Sequence, residues 1–267
     1  MRQEENYLAI NKASWNNRTD SHLASEFYNV EGFLKGQSSL NSIELDLLGD
    51  VKGKKILHLQ CHFGQDSLSL ARMGAKVTGV DLSDKAINAG KELARKMDLD
   101  VQFIACDVYD LPQYLEDQFD IVFTSYGTIG WLPDMNKWAD LIARYLKPGG
   151  HFVFAEFHPV VWMFDDDFKT IKFNYSNAGP IKENEEGTYA DKTANIKQDY
   201  VMWNHGLAEV VSALLSKNIS IQKLQEFDYS PYDCFDHTVE FEPGKYRIKH
   251  LDDKIPMVYA LLGKKEE

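Results

Sequence analysis

The sequence predicts an α/β protein built on a doubly wound, mostly parallel sheet. Three observations carry that reading. Five short apolar runs alternate with helical or turn-like segments between residues 55 and 157. The runs show little polar alternation, which marks strands buried on both faces. Two of them end in an aspartate that opens a turn, Asp81 and Asp107, at the carboxyl edge where such sheets bind ligands.

The elements follow in order. Residues 1–50 read as polar-amphipathic helices, with Tyr7, Ile10, Trp15, His22, Phe27 and Tyr28 in the first part and Ile43, Leu47 and Leu48 in the last. Residues 55–60 (KILHLQ) are a buried-strand run, and the helix expected over 66–73 is stopped by Gly74. The second strand, 76–80, ends at Asp81, and Ser83 is placed to cap a helix over 84–97. The third strand, 101–105, ends before Asp107, and 119–124 is the fourth. A helix over 134–146 is broken by Lys147-Pro148-Gly149-Gly150, and 151–156 is the fifth strand. Residues 158–204 have no clear period and are rich in Asp, Asn, Gly and aromatics, the mark of a lid or insertion. A helix over 207–217, a strand over 219–227, an aromatic and acidic loop over 228–255 and a last strand over 257–263 complete the chain. The expected organisation is one domain over 1–267: a helical cap (1–50), a core (51–157) and two lid insertions (158–204 and 228–256).

A formal net charge of −12, with no offsetting Lys/Arg cluster, argues against nucleic acid as a partner. No apolar run approaches the length of a membrane span, and the N-terminal MRQEENYLAINK lacks the progression of a signal peptide. Cys61, Cys106 and Cys234 are widely spaced and form no CxxC pair, which suits a reducing compartment. A cytoplasmic protein with a small-molecule partner is expected. Oligomeric state is not set by the sequence.

Asp81 can accept both hydroxyls of an adenosine ribose, or only start the turn that Ser83 caps. Asp107 lies where an adenine amino group would be, or is a surface turn carboxylate. Leu82 and Val108 follow these acids and can sandwich the ring, or simply pack the core. The stretch ILHLQCHFGQD (56–66) holds His58, Cys61 and His62. Their spacing does not match the paired ligands of common zinc modules, so no metal site is expected. A nicotinamide dehydrogenase would need GxGxxG after the first strand, and only Gly64 of such a pattern is present.

Five segments in order carry a resemblance. They are Leu57–Gly64 (LHLQCHFG), Gly79–Ser83 (GVDLS), Ala105–Val108 (ACDV), Phe119–Val122 (FDIV) and Leu146–Gly150 (LKPGG). On these the chain resembles class I S-adenosylmethionine-dependent methyltransferases. The resemblance implies a Rossmann-like sheet of seven strands, closed by an antiparallel hairpin from 219–227 and 257–263. It also implies S-adenosyl-L-methionine as cofactor and a small-molecule acceptor methylated by in-line transfer. In this family the first turn holds the methionine end of the cofactor mainly through backbone, which places Gln60, Cys61 and Gly64 there. Asp66 would cap the helix or meet the cofactor's ammonium group. Asp81, Leu82, Asp107 and Val108 would hold the adenosine, and Ser125 would lie near the methyl.

The chain departs from the family where His58 replaces an acid and Gln60 and His62 replace glycines. Their backbone angles must be ones that a side chain tolerates. That alteration motivates an alternative, a protein that binds S-adenosylmethionine or S-adenosylhomocysteine without transferring the methyl. For a transferase, the acceptor would face the ends of strands four and five. His158 is the first candidate for a general base there, with Glu156 and Tyr126 next, because Glu156 and His158 would point the same way in extended chain. Aromatic residues outside the strands, Trp131, Trp162, Phe164, Tyr175, Tyr189, Tyr200, Trp203, Tyr229 and Tyr232 among them, would pack the insertions or line the pocket. In similar methyltransferases N-terminal helices close over the cofactor, which adds Tyr7, Trp15 and Tyr28.

Overall fold

The computed structural model describes residues 6–266. Residues 1–5 of the expected cap and residue 267 lie outside the described residues. Three helices lead: α1 (Tyr7–Ala24), α2 (Val30–Leu34) and α3 (Ser42–Leu48). The core then alternates β1 (Lys55–Leu59), α4 (Gln65–Arg72), β2 (Lys76–Asp81), α5 (Asp84–Lys96), β3 (Val101–Ala105), β4 (Phe119–Ser125), α6 (Met135–Tyr145) and β5 (Leu146–Phe157). After it come β6 (Ile181–Glu186), β7 (Lys197–Met202), α7 (Leu207–Leu215), β8 (Ile219–Phe227), β9 (Thr238–Glu242), β10 (Lys245–Ile248) and β11 (Val258–Lys265).

The main sheet has seven strands in the order β3-β2-β1-β4-β5-β11-β8, with β11 antiparallel to both of its neighbours. The chain runs outward from β1 to β3, then returns to place β4 on the other side of β1. Strand order therefore reverses between β1 and β4, and the crevice at their carboxyl ends is the switch point. Side-chain alternation assigns each face its cover. Leu57, Leu59, Val122, Phe152 and Phe154 pack against α6 and α7. Ile56, Val77, Ile121 and Val153 pack with α3 and α4, while Phe103 packs with Leu68, Ile87 and Leu93 of α4 and α5.

Local rules set the ends of these elements. Ser83 Oγ accepts from Ala86 N at 3.0 Å, the expected cap of α5. Gly64 precedes α4 at φ +76°, and a Cβ there would come within 2.5 Å of the Phe103 ring, so the position admits only glycine. Two expectations differ. The segment Lys147–Gly150 does not stand outside the fifth strand: β5 begins at Leu146, paired with Phe119, and the ladder shifts register before Ile121 meets His151. Gly149 at φ +74° absorbs that bulge. The aperiodic stretch 158–204 contains the β6–β7 hairpin, and the loop 228–256 contains β9–β10. Among the described residues, no helix is long and apolar enough to cross a membrane.

Candidate functional site

A cavity of about 960 Å³ opens over the carboxyl ends of β1, β2 and β4, between them and a roof formed by α1 and the β6–β7 hairpin. The roof is pinned by polar side chains. Asn11 of α1 makes two bonds to the backbone of Val201 in β7, each 2.8 Å. Arg18, 2% exposed, donates to Glu185 of β6 at 2.7 Å and lies 5.0–5.5 Å from the ring centres of Trp15, Trp131 and Tyr200. The buried stripe of α1 is thus polar: Asn11, Ser14, Arg18 and His22 recur at helical spacing.

The turn after β1 keeps a glycine-like path with two non-glycine residues. Gln60 and His62 have φ of +54° and +53°, in the small left-handed region that costs a side chain about 1–2 kcal/mol. Local bonds offset that cost. Cys61 N donates to the Val80 carbonyl at 2.9 Å and Gly64 N to the Cys61 carbonyl at 2.8 Å. His62 N donates to Asp81 Oδ2 at 2.7 Å. The side chains then tie the turn to its surroundings. Gln60 Nε2 donates to the Thr128 carbonyl at 2.7 Å, joining the loops after β1 and β4. The His62 ring stacks on Tyr28, meets Trp15 edge-on and lies 3.2 Å from His22 through Nε2 and Nδ1. Burial holds His22 down to about 3 and His62 well below the usual histidine range, so both are neutral at pH 7.

His58 is buried, its Nδ1 shares a hydrogen bond with Ser67 Oγ at 2.8 Å, and burial pushes it down to about 3. Cys61 Sγ points to the His62 carbonyl at 3.6 Å. The two histidines and the cysteine of this stretch therefore have separate partners. No group of three or more His, Cys, Asp or Glu side chains among the described residues could hold a metal ion.

Gln60, Cys61, Gly64, Asp66, Asp81 and Leu82 line the cavity, as do Asp107, Val108 and Ser125. Asp81 Oδ1 accepts from Ser83 N at 2.8 Å, and its recessed position pushes the carboxyl up to about 6. Asp107 accepts from Tyr109 N at 3.2 Å, and burial raises it too. Asp66 does not cap α4, which has no side-chain cap. It instead accepts from Ser125 Oγ at 3.1 Å, with its pKa raised by burial. Gln60 Oε1 is buried without a hydrogen-bond partner. The crevice thus offers an uncommitted amide oxygen and a carboxylate with only hydroxyl donors, a pair suited to an ammonium group.

Two of the three candidate bases need correction. His158 does not line the cavity. The chain turns at Pro159, with Val161 N donating to the His158 carbonyl, so the ring swings to the β8–β11 side of the sheet. There Nε2 lies 2.8 Å from Glu226 Oε1 and Nδ1 accepts from Val160 N. Glu156 lines the cavity but has no free lone pair. Its Oε1 accepts from Gly127 N and Phe157 N, and its Oε2 from Thr128 N, Thr128 Oγ1 and Ile129 N. It clamps the loop after β4. Tyr126 remains: it lines the cavity and has φ +42°, a strained value of the kind found at functional sites. His158→Ala is expected to leave S-adenosylhomocysteine affinity, read by calorimetry, within about threefold of wild type, a change below 1 kcal/mol. A tenfold loss would return His158 to the site.

Of the aromatic candidates, Tyr7, Trp15, Tyr28, Trp131, Trp162 and Phe164 line the cavity, as do Tyr189, Tyr200, Trp203 and Tyr232. Tyr175 instead receives the Leu207 N–H at 3.1 Å, and Tyr229 packs on Phe227 and Phe241. Sequence reasoning missed Arg18, Glu44 and the pairing of His22 with His62. The polar period along α1 was the available signal for Arg18 and His22.

Known proteins bear out the fold. The family described as a methyltransferase domain matches residues 50–232. The ubiquinone biosynthesis O-methyltransferase of Alkalilimnicola ehrlichii is 32% identical over 136 residues, covering 49% of this chain and 55% of that one. The Bordetella avium protein of the same name is 30% identical over 139 residues, covering 51% and 57%. The chain thus spans about half the length of the curated relatives it matches. Among solved structures, geranyl diphosphate C-methyltransferase from Streptomyces coelicolor aligns at TM-score 0.61 and 16% identity over 97% of each chain. The 1,6-didemethyltoxoflavin-N1-methyltransferase of Burkholderia thailandensis aligns at TM-score 0.60 and 14% identity, covering 100% of this chain and 92% of that one. At such identities the likeness is one of fold. With the family match covering most of its length and the seven-stranded sheet in place, the chain belongs to the methyltransferase-domain family, and its fold is that of the class I S-adenosylmethionine-dependent enzymes.

Proposed function

We propose that the protein is an S-adenosylmethionine-dependent methyltransferase acting on a small-molecule acceptor. The observation that carries this reading is the convergence of Asp81, Asp107 and the β1 turn on one cavity at the switch point, beneath an aromatic roof. The residues present fit the cofactor. Asp81 retains lone pairs for ribose hydroxyls. Asp107, flanked by Leu82 and Val108, suits an adenine edge and its two faces. Asp66 and Gln60 Oε1 suit the ammonium group, and Cys61 and Gly64 present backbone. When bound, the cofactor supplies an already electrophilic methyl on a sulfonium. The chain's own task is then to align the acceptor and exclude water. The roof of α1 and β6–β7 excludes water, and Ser125 and Tyr126 mark the acceptor side. Residues 1–267 act as one domain, with 158–204 and 228–256 as substrate lids over the core. The open β1 turn supports cofactor binding, since its altered side chains brace the turn and do not fill the cavity. The net charge of −12 disfavours nucleic acid, and three free cysteines fit the cytoplasm.

The test is a thermal-shift titration. S-adenosylhomocysteine at 100 times its Kd should stabilise the fold by ~2.7 kcal/mol, and S-adenosylmethionine similarly. No shift with either ligand sinks the reading.

A further inference from the structure

The phenol of Tyr126 does not end the chain of contacts that starts in the cavity. Its hydroxyl donates to Glu44 Oε2 at 2.8 Å, and its ring packs on Phe157 and edge-on against Tyr232. Glu44 lies in α3 with no exposed surface. Its Oε1 already completes the capping box, accepting from Asn41 N at 2.6 Å. A capping box needs only that oxygen and is ordinarily built at the surface. The second oxygen, buried and aimed at a cavity-lining phenol, is not needed for the cap. No Lys, Arg or His pairs with Glu44 among the described residues. The titratable groups that face it are Asp66 of α4, Tyr126 after β4 and Tyr232 after β8. Burial, with Asp66 next, pushes Glu44 up to about 7. Burial and Glu44 together push the Tyr126 phenol well above 10. Tyr126 therefore cannot hold a negative charge at neutral pH, yet it can pass a proton to a partner that is half ionised there.

We propose that Glu44 is the proton sink behind Tyr126, and that the acceptor is a ring-bearing molecule whose attacking oxygen or nitrogen carries a proton. The inference rests on the methyltransferase reading above. The aromatic lining of the cavity fits the ring. The acceptor gains a methyl through its heteroatom lone pair, while the carbon–sulfur bond of the donor breaks with its electron pair left on a neutral thioether. The acceptor's proton moves to Tyr126 Oη as the Tyr126 proton moves to Glu44 Oε2. One positive sulfonium and one carboxylate become two neutral groups, so charge balances. Glu44 acts through Tyr126 and touches no substrate itself.

The experiment measures turnover of S-adenosylmethionine with 4-methylcatechol and aniline, which carry the proton, and with 4-methylpyridine, which does not. Wild-type kcat for the first two should rise with pH through about 7. Glu44→Gln should lower it by about a hundredfold and erase that limb, with S-adenosylhomocysteine affinity kept within about threefold. Tyr126→Phe should lower kcat as much and erase the same limb, and Glu44→Gln should not slow any turnover of 4-methylpyridine. A second readout needs no acceptor. Glu44 has a folded pKa above its unfolded one, so the folded state binds the extra proton between about 4.5 and 7 and loses stability as pH rises through that window. The urea midpoint of Glu44→Gln should lack that fall. An unchanged pH limb in Glu44→Gln, or its loss in Asp66→Asn alone, overturns the relay. No turnover of catechol or aniline with S-adenosylhomocysteine still bound overturns the acceptor class. Loss of S-adenosylhomocysteine binding by the wild type overturns the methyltransferase reading instead.

Discussion

Asp81→Asn is expected to weaken S-adenosylhomocysteine binding by at least about a hundredfold, close to 3 kcal/mol. Asp81 serves the turn before it serves any ligand. Its two oxygens accept the His62 and Ser83 N–H groups at 2.7 and 2.8 Å. Charge-assisted bonds of this kind are worth about 1.5–3 kcal/mol. An asparagine keeps one acceptor and turns an NH₂ toward a backbone N–H, so one bond becomes a donor–donor clash. The His62 backbone is already in the left-handed region and relaxes when its bond is lost. The proposed ribose contact falls with it. The wild-type pH dependence has a definite sign. The carboxyl is held up to about 6, above its ordinary 3.8, so the ionised acceptor needed for hydroxyl donors is lost as pH falls through about 6. Affinity should fall there in the wild type and stay low and flat in Asp81→Asn. Isothermal titration between pH 5 and 8 decides it, at roughly 1.4 kcal/mol per tenfold change. Affinity within about threefold of wild type would remove Asp81 from the cofactor site.

The parts of this protein that were legible in its sequence are those where one residue's neighbours are set by chain period alone. Strands such as Lys55–Leu59 and Val101–Ala105 are short apolar runs between turn signals, and the sheet follows from their order. Asp81 and Asp107 could be located because one closes β2 and the other stands two residues beyond β3, at the carboxyl edge of the sheet. The roof was not legible. The β6 sequence IKENEE is almost wholly polar, and its strand exists because it pairs with β7, on which α1 docks. Glu44 and Tyr126 are 82 positions apart, and His22 and His62 are 40 apart. No local pattern joins them. His158 was misplaced for a different reason. Extended chain would have aimed it into the cavity beside Glu156, but at the turn before Pro159 it lies over β11 toward the β8 edge of the sheet, against Tyr259, where Glu226 receives it. Gln60 and His62 looked like losses from a glycine turn. In the structure they keep the turn's backbone path and exchange flexibility for contacts with Thr128, Tyr28 and His22.

Glu156→Ala is expected to be the most destabilising single change in the site, by about 3–5 kcal/mol. Five donors converge on this carboxylate: the N–H groups of Gly127, Thr128, Ile129 and Phe157, and the Thr128 hydroxyl. Burial raises its pKa, and these donors act in the opposite direction. Truncation leaves the donors in a site where Glu156 itself was only 2% exposed. Each one left without an acceptor costs about 1–3 kcal/mol, and water entry recovers part of the sum. The defect cannot stay local. Trp131 Nε1 donates to the Gly127 carbonyl at 2.8 Å, and Gln60 Nε2 donates to the Thr128 carbonyl at 2.7 Å. Releasing the loop therefore loosens both an aromatic wall of the cavity and the turn after β1. Glu156→Gln keeps one acceptor oxygen and places an NH₂ against N–H donors, so it should lose an intermediate amount. Hydrogen exchange gives the site-specific readout: amides 127–129 should be protected in the wild type and exchange freely in Glu156→Ala. The alternative, in which Glu156 takes a proton from the acceptor, predicts the opposite pattern. Turnover would vanish while the urea midpoint and the protection of those amides stayed at wild-type values, because a base facing solvent or substrate carries no loop.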